Sequence, residues 1–426
     1  MAVRGEGCWI VSADGRRYLD ASGQAAVINI GHGVAEIGHA MAEQSALLSF
    51  AHTSQFHSPP AEKLAARLLQ MAPGNFKNGR VYFTSGGSEA TETAIKLARQ
   101  FYLETNQAQR YRVVSRRQSY HGSTLGAMTV SGNMARRAAY APLLSEWGHV
   151  APCFCYHCPF QLSYPECEVA CANDLEIFLQ GDGKKSETVS AFLYEPVVGA
   201  TLGAAVAPRG YEERIAEICR RRGILVIADE IMSGMGRTGT PFAVGIEPDM
   251  ILVGKGIAGG YAPLGGVLVS GKIVAALEKG SGVFQHGFTY QAHPVSTAAG
   301  NAVLDYLEKE KLFARVTPAG DLLRQQLAPL LEHQHVGDIR GRGLLLGMEF
   351  VQNKSRREPF PAAQNIGERI RQAALGENVL LYPTQGCVDG IRGDHVLLAP
   401  PFILTSAESG MIAAGLQAAV DKVFPQ

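Results

Sequence analysis

Four places in the chain set a reactive or anion-binding group at the end of a short apolar run. Lys255 follows Met250-Ile251-Leu252-Val253 and stands between Gly254 and Gly256. A lysine taken out of water loses proton affinity, and the free amine attacks carbonyl carbons. The plainer alternative is a lysine whose stem lies along the sheet while its ammonium reaches solvent. Asp229, with Glu230, closes the apolar run 224–228. A carboxylate there needs a positive partner or N–H donors: a protonated ring nitrogen would serve, and so would the cap of a turn. Tyr120 and His121 precede Gly122, soon after Val113-Val114. An aromatic in that place covers a flat ligand ring or simply packs its own loop. Thr84-Ser85-Gly86-Gly87-Ser88-Glu89-Ala90 joins a strand to a helix. Its glycines would let an anion approach the free N–H groups of a helix start, although a tight turn with an N-cap fits equally.

These groups need elements to position them. The spacing predicts a hairpin over 9–19 around Asp14-Gly15 and a helix over 61–71. From about Arg80, apolar runs alternate with amphipathic stretches. Strands are predicted at 81–83, 113–114, 192–194, 224–228, 251–253 and 267–269, with a helix over 89–102. Unbroken apolar runs mark strands covered on both faces, so the expectation is an α/β unit with a mostly parallel central sheet. In such sheets functional groups gather at the carboxyl ends of strands. A helical stretch over 294–331 precedes strands at 343–351, 379–382 and 396–398 and helices at 364–375 and 408–423, a smaller α+β unit. The expected division is 1–50 as the N-terminal part of the small domain, 51–305 as the large domain and 306–426 as the C-terminal small domain.

Composition narrows the function. The 426 residues are 46% hydrophobic and 18% charged with zero formal net charge, which suits a folded enzyme and offers no basic field for nucleic acid or an anionic membrane. Arg220-Arg221-Arg222 reads as a solvated helix face. Residues 1–17 lack an apolar core, so no signal peptide is expected. The stretch 189–208 is interrupted by Glu195, Pro196, Gly199 and Gly203 and is no membrane span. A cytoplasmic protein without a nucleic-acid or membrane partner is expected.

An anion cradle, a stacking aromatic, a carboxylate for a ring nitrogen and an imine-forming lysine are the parts that pyridoxal 5'-phosphate requires. From Ala228-Asp229-Glu230 through Gly236-Arg237-Thr238-Gly239 and Pro248-Asp249 to Lys255, the order and spacing resemble the class III pyridoxal-phosphate aminotransferases of fold type I. The blocks at Tyr82 to Ala90, Tyr120-His121-Gly122, Glu195-Pro196, Gly265-Gly266, Asn29-Ile30-Gly31-His32-Gly33, Thr289-Tyr290 and His293-Pro294 match as well, so the resemblance covers nearly the whole chain. It implies an ω-transaminase-like enzyme that moves an amino group from an amine or amino acid to pyruvate or 2-oxoglutarate, in ping-pong fashion through pyridoxamine phosphate. It implies Lys255 as imine lysine and proton shuttle, Asp229 at the ring nitrogen and Tyr120 on the ring with His121 beside it. It further implies Ser85, Gly86, Gly87 and Ser88 around the phosphate and Glu195 near the substrate. Thr289 would reach from one subunit into the site of the other, in an obligate homodimer.

Departures from the family pattern bear on substrate. Relatives acting on ornithine or 4-aminobutyrate often carry an arginine just before the segment that here reads Leu397-Leu398-Ala399-Pro400-Pro401. The nearest one, Arg392, falls where amine:pyruvate transaminases resembling this chain carry a mobile arginine. It is expected to clamp the oxo-acid carboxylate and withdraw for an uncharged amine, the alternative being a solvated loop arginine. Met232 stands where relatives often have Gln against the ring hydroxyl, and Met1 falls almost at the first hairpin, where relatives carry a leader over the site. Five of the eight cysteines lie within 153–171. A C-x-x-C pair beside His157 can bind zinc, but the second half lacks that rhythm, so free or partly oxidised thiols and no metal are expected. An aminomutase, racemase or decarboxylase of the same class stays open, as does a non-catalytic relative. A nucleotide-binding oxidoreductase ranks last, because its glycine fingerprint is missing.

Overall fold

The computed structural model describes residues 1–425. Its largest sheet has seven strands in the order Arg80–Thr84, Gly265–Val269, Met250–Val253, Leu225–Asp229, Val189–Tyr194, Arg112–Arg116 and His149–Val150. Gly265–Val269 runs antiparallel to both neighbours, and every other pairing is parallel. Val189–Tyr194, Leu225–Asp229 and Met250–Val253 are buried at every residue, as their uninterrupted apolar runs demand. Alternate side chains serve opposite faces. Leu193, Ile227 and Leu252 pack against Ala90, Ala94 and Leu97 of helix Gly87–Glu104. Phe192, Val226 and Ile251 point into the main core with Ile215 of helix Tyr211–Arg222 and Val303 of helix Pro294–Lys309.

Two four-stranded sheets complete the architecture. Ala2–Glu6, Trp9–Ser12 and Arg17–Asp20 form an antiparallel ribbon around the predicted turn, and Val379–Leu380 adds to its edge in parallel. Val336–Arg342, Leu345–Phe350, Asp394–Leu398 and Tyr382–Gln385 form an antiparallel sheet. The run expected as one strand over 379–382 is therefore two strands in two sheets. Val379 and Leu381 are both buried, so the apolar pattern carries on through the switch and hides it. The stretch over 294–331 is likewise broken: Lys311 takes a left-handed φ of 51° between Pro294–Lys309 and Leu312–Leu327. No Gly or Pro marks that break.

The arginine run of helix Tyr211–Arg222 is not simply solvated, since Arg221 and Arg222 pair with Glu176 of helix Ala170–Gly181. All eight cysteines are free. Cys155, Cys158, Cys167 and Cys171 border one small cavity of about 20 Å³. Among the described residues, no three His, Cys, Asp or Glu side chains are grouped so as to hold a metal, and no helix is long and apolar enough to cross a membrane.

Candidate active site

Ser85, Gly86, Gly87, Ser88, Tyr120, His121, Glu195, Asp229 and Lys255 line one cavity of about 340 Å³. The strand ends bring them there: Arg80–Thr84, Arg112–Arg116, Val189–Tyr194, Leu225–Asp229 and Met250–Val253 all point their carboxyl ends to the same edge.

Lys255 opens the turn after Met250–Val253 with a φ of 46°. A side chain in the left-handed region persists only where its surroundings hold it. Asn29 supplies part of that hold, its Nδ2 donating to the carbonyl of Gly256 at 2.9 Å. Burial pulls the lysine pKa down to about 8, while Asp229 and Glu195 act in the opposite direction. The amine therefore loses its proton far more readily than an exposed lysine does.

Asp229 ends its strand with both oxygens engaged. Oδ2 lies 2.7 Å from Nδ1 of buried His121, and Oδ1 accepts the Ile231 N–H at 3.1 Å. The other ring nitrogen of His121, Nε2, is buried without a protein partner. Glu195 is held as firmly, Oε1 accepting the Tyr120 N–H at 3.1 Å and Oε2 the Gly199 N–H at 2.9 Å. Burial raises its pKa; His121 opposes the rise and Asp229 adds to it.

The glycine cluster forms a cradle. Gly86 caps helix Gly87–Glu104 with no side-chain hydrogen bond, which leaves the helix start free to meet an anion. Tyr120 Oη lies 2.9 Å from Ser123 Oγ, and the Ser123 N–H donates to Ser88 Oγ at 3.0 Å. Gly122 makes this closure possible: at its φ of 133°, a Cβ would stand 2.6 Å from Ser88 Oγ.

Two expected residues lie elsewhere. Thr289 is on an exposed turn and does not border its own chain's cavity. Arg392 is half-exposed on a loop, its Nε 2.7 Å from Asp389 Oδ2. Met232 does line the cavity, with Tyr382 and Ile231. Arg136 also lines it and places its guanidinium 4.5 Å from the centre of the Tyr120 ring. Arg136 belongs to the four-residue helix Met134–Arg137, where no sequence motif singled it out.

The sheet and the cavity at its carboxyl edge are those of a fold type I transferase. The profile of the class-III aminotransferases matches residues 1–420, and the chain belongs to that family; it is an aminotransferase. An uncharacterised aminotransferase, YodT of Bacillus subtilis (strain 168), is 38% identical over 407 residues, covering 95% of this chain and 90% of the relative. A thermostable (S)-enantioselective ω-transaminase from Thermomicrobium roseum superposes with a TM-score of 0.92 at 38% identity, covering 100% of this chain and 93% of that one. An amine transaminase from an uncultivated Pseudomonas species, solved in a PLP-bound form, gives 0.92 at 36% identity, covering 99% and 94%.

Proposed function

We propose that this aminotransferase works with pyridoxal 5'-phosphate and transfers an amino group from an amine or amino acid to an oxo acid such as pyruvate or 2-oxoglutarate, in two half-reactions. The observation that carries the reading is the convergence of Lys255, the Asp229–His121 pair and the cradle of Ser85 to Ser88 on one cavity. The residues fit the cofactor: the cradle offers an uncapped helix start, and the carboxylate at the strand end is braced by a histidine. When bound, pyridoxal phosphate supplies a conjugated ring that takes up electrons from the substrate carbon.

The chain's own groups do the rest. Ser85, Gly86, Gly87 and Ser88 would hold the phosphate, Asp229 the proton on the ring nitrogen, and Tyr120 one ring face. His121 keeps Asp229 oriented. Lys255 would hold the cofactor through its aldehyde group, and its Nζ, readily deprotonated at this site, would accept the proton from the substrate carbon. Glu195 stands toward the substrate side. Met232 replaces a polar contact with a thioether whose sulfur packs against Gly199.

A homodimer belongs to this reading, with Thr289 of each subunit reaching the phosphate of the other. In support, Leu47, Phe50, Phe56 and Tyr290 are exposed, and Phe50 and Tyr290 sit 5.8 Å apart near Thr289. The division into 1–50 and 306–426 around a large domain of 51–305 is supported by Val379–Leu380 joining the N-terminal ribbon. Unpaired cysteines suit the cytoplasm.

An absorbance spectrum tests the reading. We expect a yellow protein that bleaches with an amine and regains colour with pyruvate, and a Lys255→Ala variant that does neither. A protein that stays colourless when pyridoxal phosphate is added would sink it. Amino transfer to a separate oxo acid distinguishes the reaction from that of an aminomutase or racemase.

A further inference from the structure

We propose that Arg136 is the carboxylate anchor of this site, so that the amino acceptor is an oxo acid recognised by an arginine fork beside Tyr120. The inference rests on the reaction proposed above and names the substrate class it takes.

Among the residues that line the cavity, Arg136 is the only arginine, and Lys255 is the only lysine. Both carboxylates there are already engaged, Asp229 by His121 and Glu195 by two backbone N–H groups. Arg136, by contrast, forms no ion pair among the described residues. Its neighbour shows what a structural arginine looks like here: Arg137 Nη1 donates to the carbonyls of Met128, Thr129 and Ser131 at 2.6 to 2.8 Å. Arg136 has only its backbone fixed, its N–H donating to Asn133 Oδ1 at 3.2 Å.

A cation–π contact holds the free guanidinium in place. Its carbon lies 4.5 Å from the centre of the Tyr120 ring, and its N–H donors, none paired with a protein carboxylate, stay available for a bidentate carboxylate. Tyr120 is the residue proposed to cover the cofactor ring, and Arg136 lines the same cavity as Tyr120 and Lys255. Its charge reaches Lys255, since Arg136 is among the groups that disfavour a proton there. Arg392 lacks these features: it is outside the cavity and already paired with Asp389.

The cofactor-loaded wild type, Arg136→Gln, Arg136→Lys and Arg392→Ala are compared by two measurements. The first is calorimetric titration with propanoate, an unreactive carboxylate. The second is the concentration dependence of each half-reaction, with pyruvate and with an uncharged arylalkylamine. Loss of a charged bidentate contact should weaken propanoate binding and raise the pyruvate KM by roughly 10- to 100-fold in Arg136→Gln. Arg136→Lys should recover part of the loss, the amine half-reaction should change far less, and Arg392→Ala should bind propanoate as the wild type does. The proposal is overturned if Arg136→Gln keeps its affinity for both acids, or if Arg392→Ala takes the loss instead. It is also overturned if Arg136→Gln chiefly weakens pyridoxal-phosphate binding, which would assign the guanidinium to the phosphate. A wild type that moves no amino group defeats the proposed reaction, and the propanoate titration still decides the role of Arg136.

Discussion

Lys255 concentrates several unfavourable features in one residue: desolvation, a left-handed backbone, and the positive charges of Arg237 and Arg136. Without cofactor, these must reduce stability. The folded pKa of about 8 lies below the ordinary 10.5, so between those values the unfolded chain binds more protons and stability rises with pH. We therefore expect Lys255→Met to raise the urea midpoint of the cofactor-free protein at pH 7. The advantage should fade from about 8 toward 10.5; one that is the same at every pH would show that the amine is not desolvated. Asp229→Asn should slow the amine half-reaction by roughly 10²-fold, read by stopped-flow absorbance. A variant as fast as the wild type would remove Asp229 from its role. Lys255, Asp229 and Tyr120 were legible in the sequence because polar residues stand out at the ends of apolar runs. The Asp229–His121 bond was not, since it joins strand ends far apart in the chain, and neither was Arg136, which reaches the cavity from a short helix.

Elements place these residues through a few steric and hydrogen-bonding constraints. The loop carrying Tyr120 docks on helix Gly87–Glu104 only because Gly122 has no side chain. Gly122→Ala should weaken pyridoxal-phosphate binding by roughly 10-fold or more, as strain of about 1–3 kcal/mol implies. Fluorescence titration measures it, and unchanged affinity would mean the loop does not shape the cradle. Helix Ser406–Val423 starts with a reciprocal cap in which Thr405 Oγ1 accepts the Glu408 N–H and Glu408 accepts the Thr405 N–H. Thr405→Ala should cost about 1 kcal/mol in urea unfolding; no loss would mean that packing alone sets this helix start. Most elements were readable from period and capping. The breaks at Lys311 and after Leu380 were not, because propensity and apolar pattern run through them and only the tertiary core decides where the chain turns.

On the scale of the molecule, a buried charge network ties the cysteine-rich segment to the C-terminal antiparallel sheet. Glu349 Oε1 lies 2.5 Å from His157 Nε2, and its Oε2 lies 2.7 Å from Arg340 Nη1. Arg340 in turn donates to the carbonyl of Leu202. Burial pushes the Glu349 pKa up, but His157 and Arg340 outweigh it and hold it below the ordinary 4.5. Its contribution is therefore present above that value and lost as pH falls through the folded one. Glu349→Gln should destabilise the protein at pH 7 by about 2 kcal/mol, since it leaves buried Arg340 with Asp338, 3.1 Å away, as its remaining carboxylate partner, and the deficit should shrink in acid. Denaturant curves at several pH values check this; a deficit that persists in acid would point to packing instead. The sequence announced the cysteines of this segment but not the acid and arginine that fasten it, which are brought together only by the folded sheet.

The position of Arg80–Thr84 has a further consequence, for the order of events after synthesis. That strand lies at the sheet edge, and its one neighbour in the sheet is Gly265–Val269, with Gly265 opposite Thr84. On a ribosome adding ~5–20 residues per second, the strand waits roughly 10–40 s for its partner to emerge. During that wait its backbone is an open edge, the kind that other chains can pair with. The glycine cradle at its end cannot close until the reversed strand is threaded between it and Met250–Val253. If the cradle holds pyridoxal phosphate as proposed, capture would come late in the life of each chain, and nascent chains cut short before residue 265 should be unable to retain it.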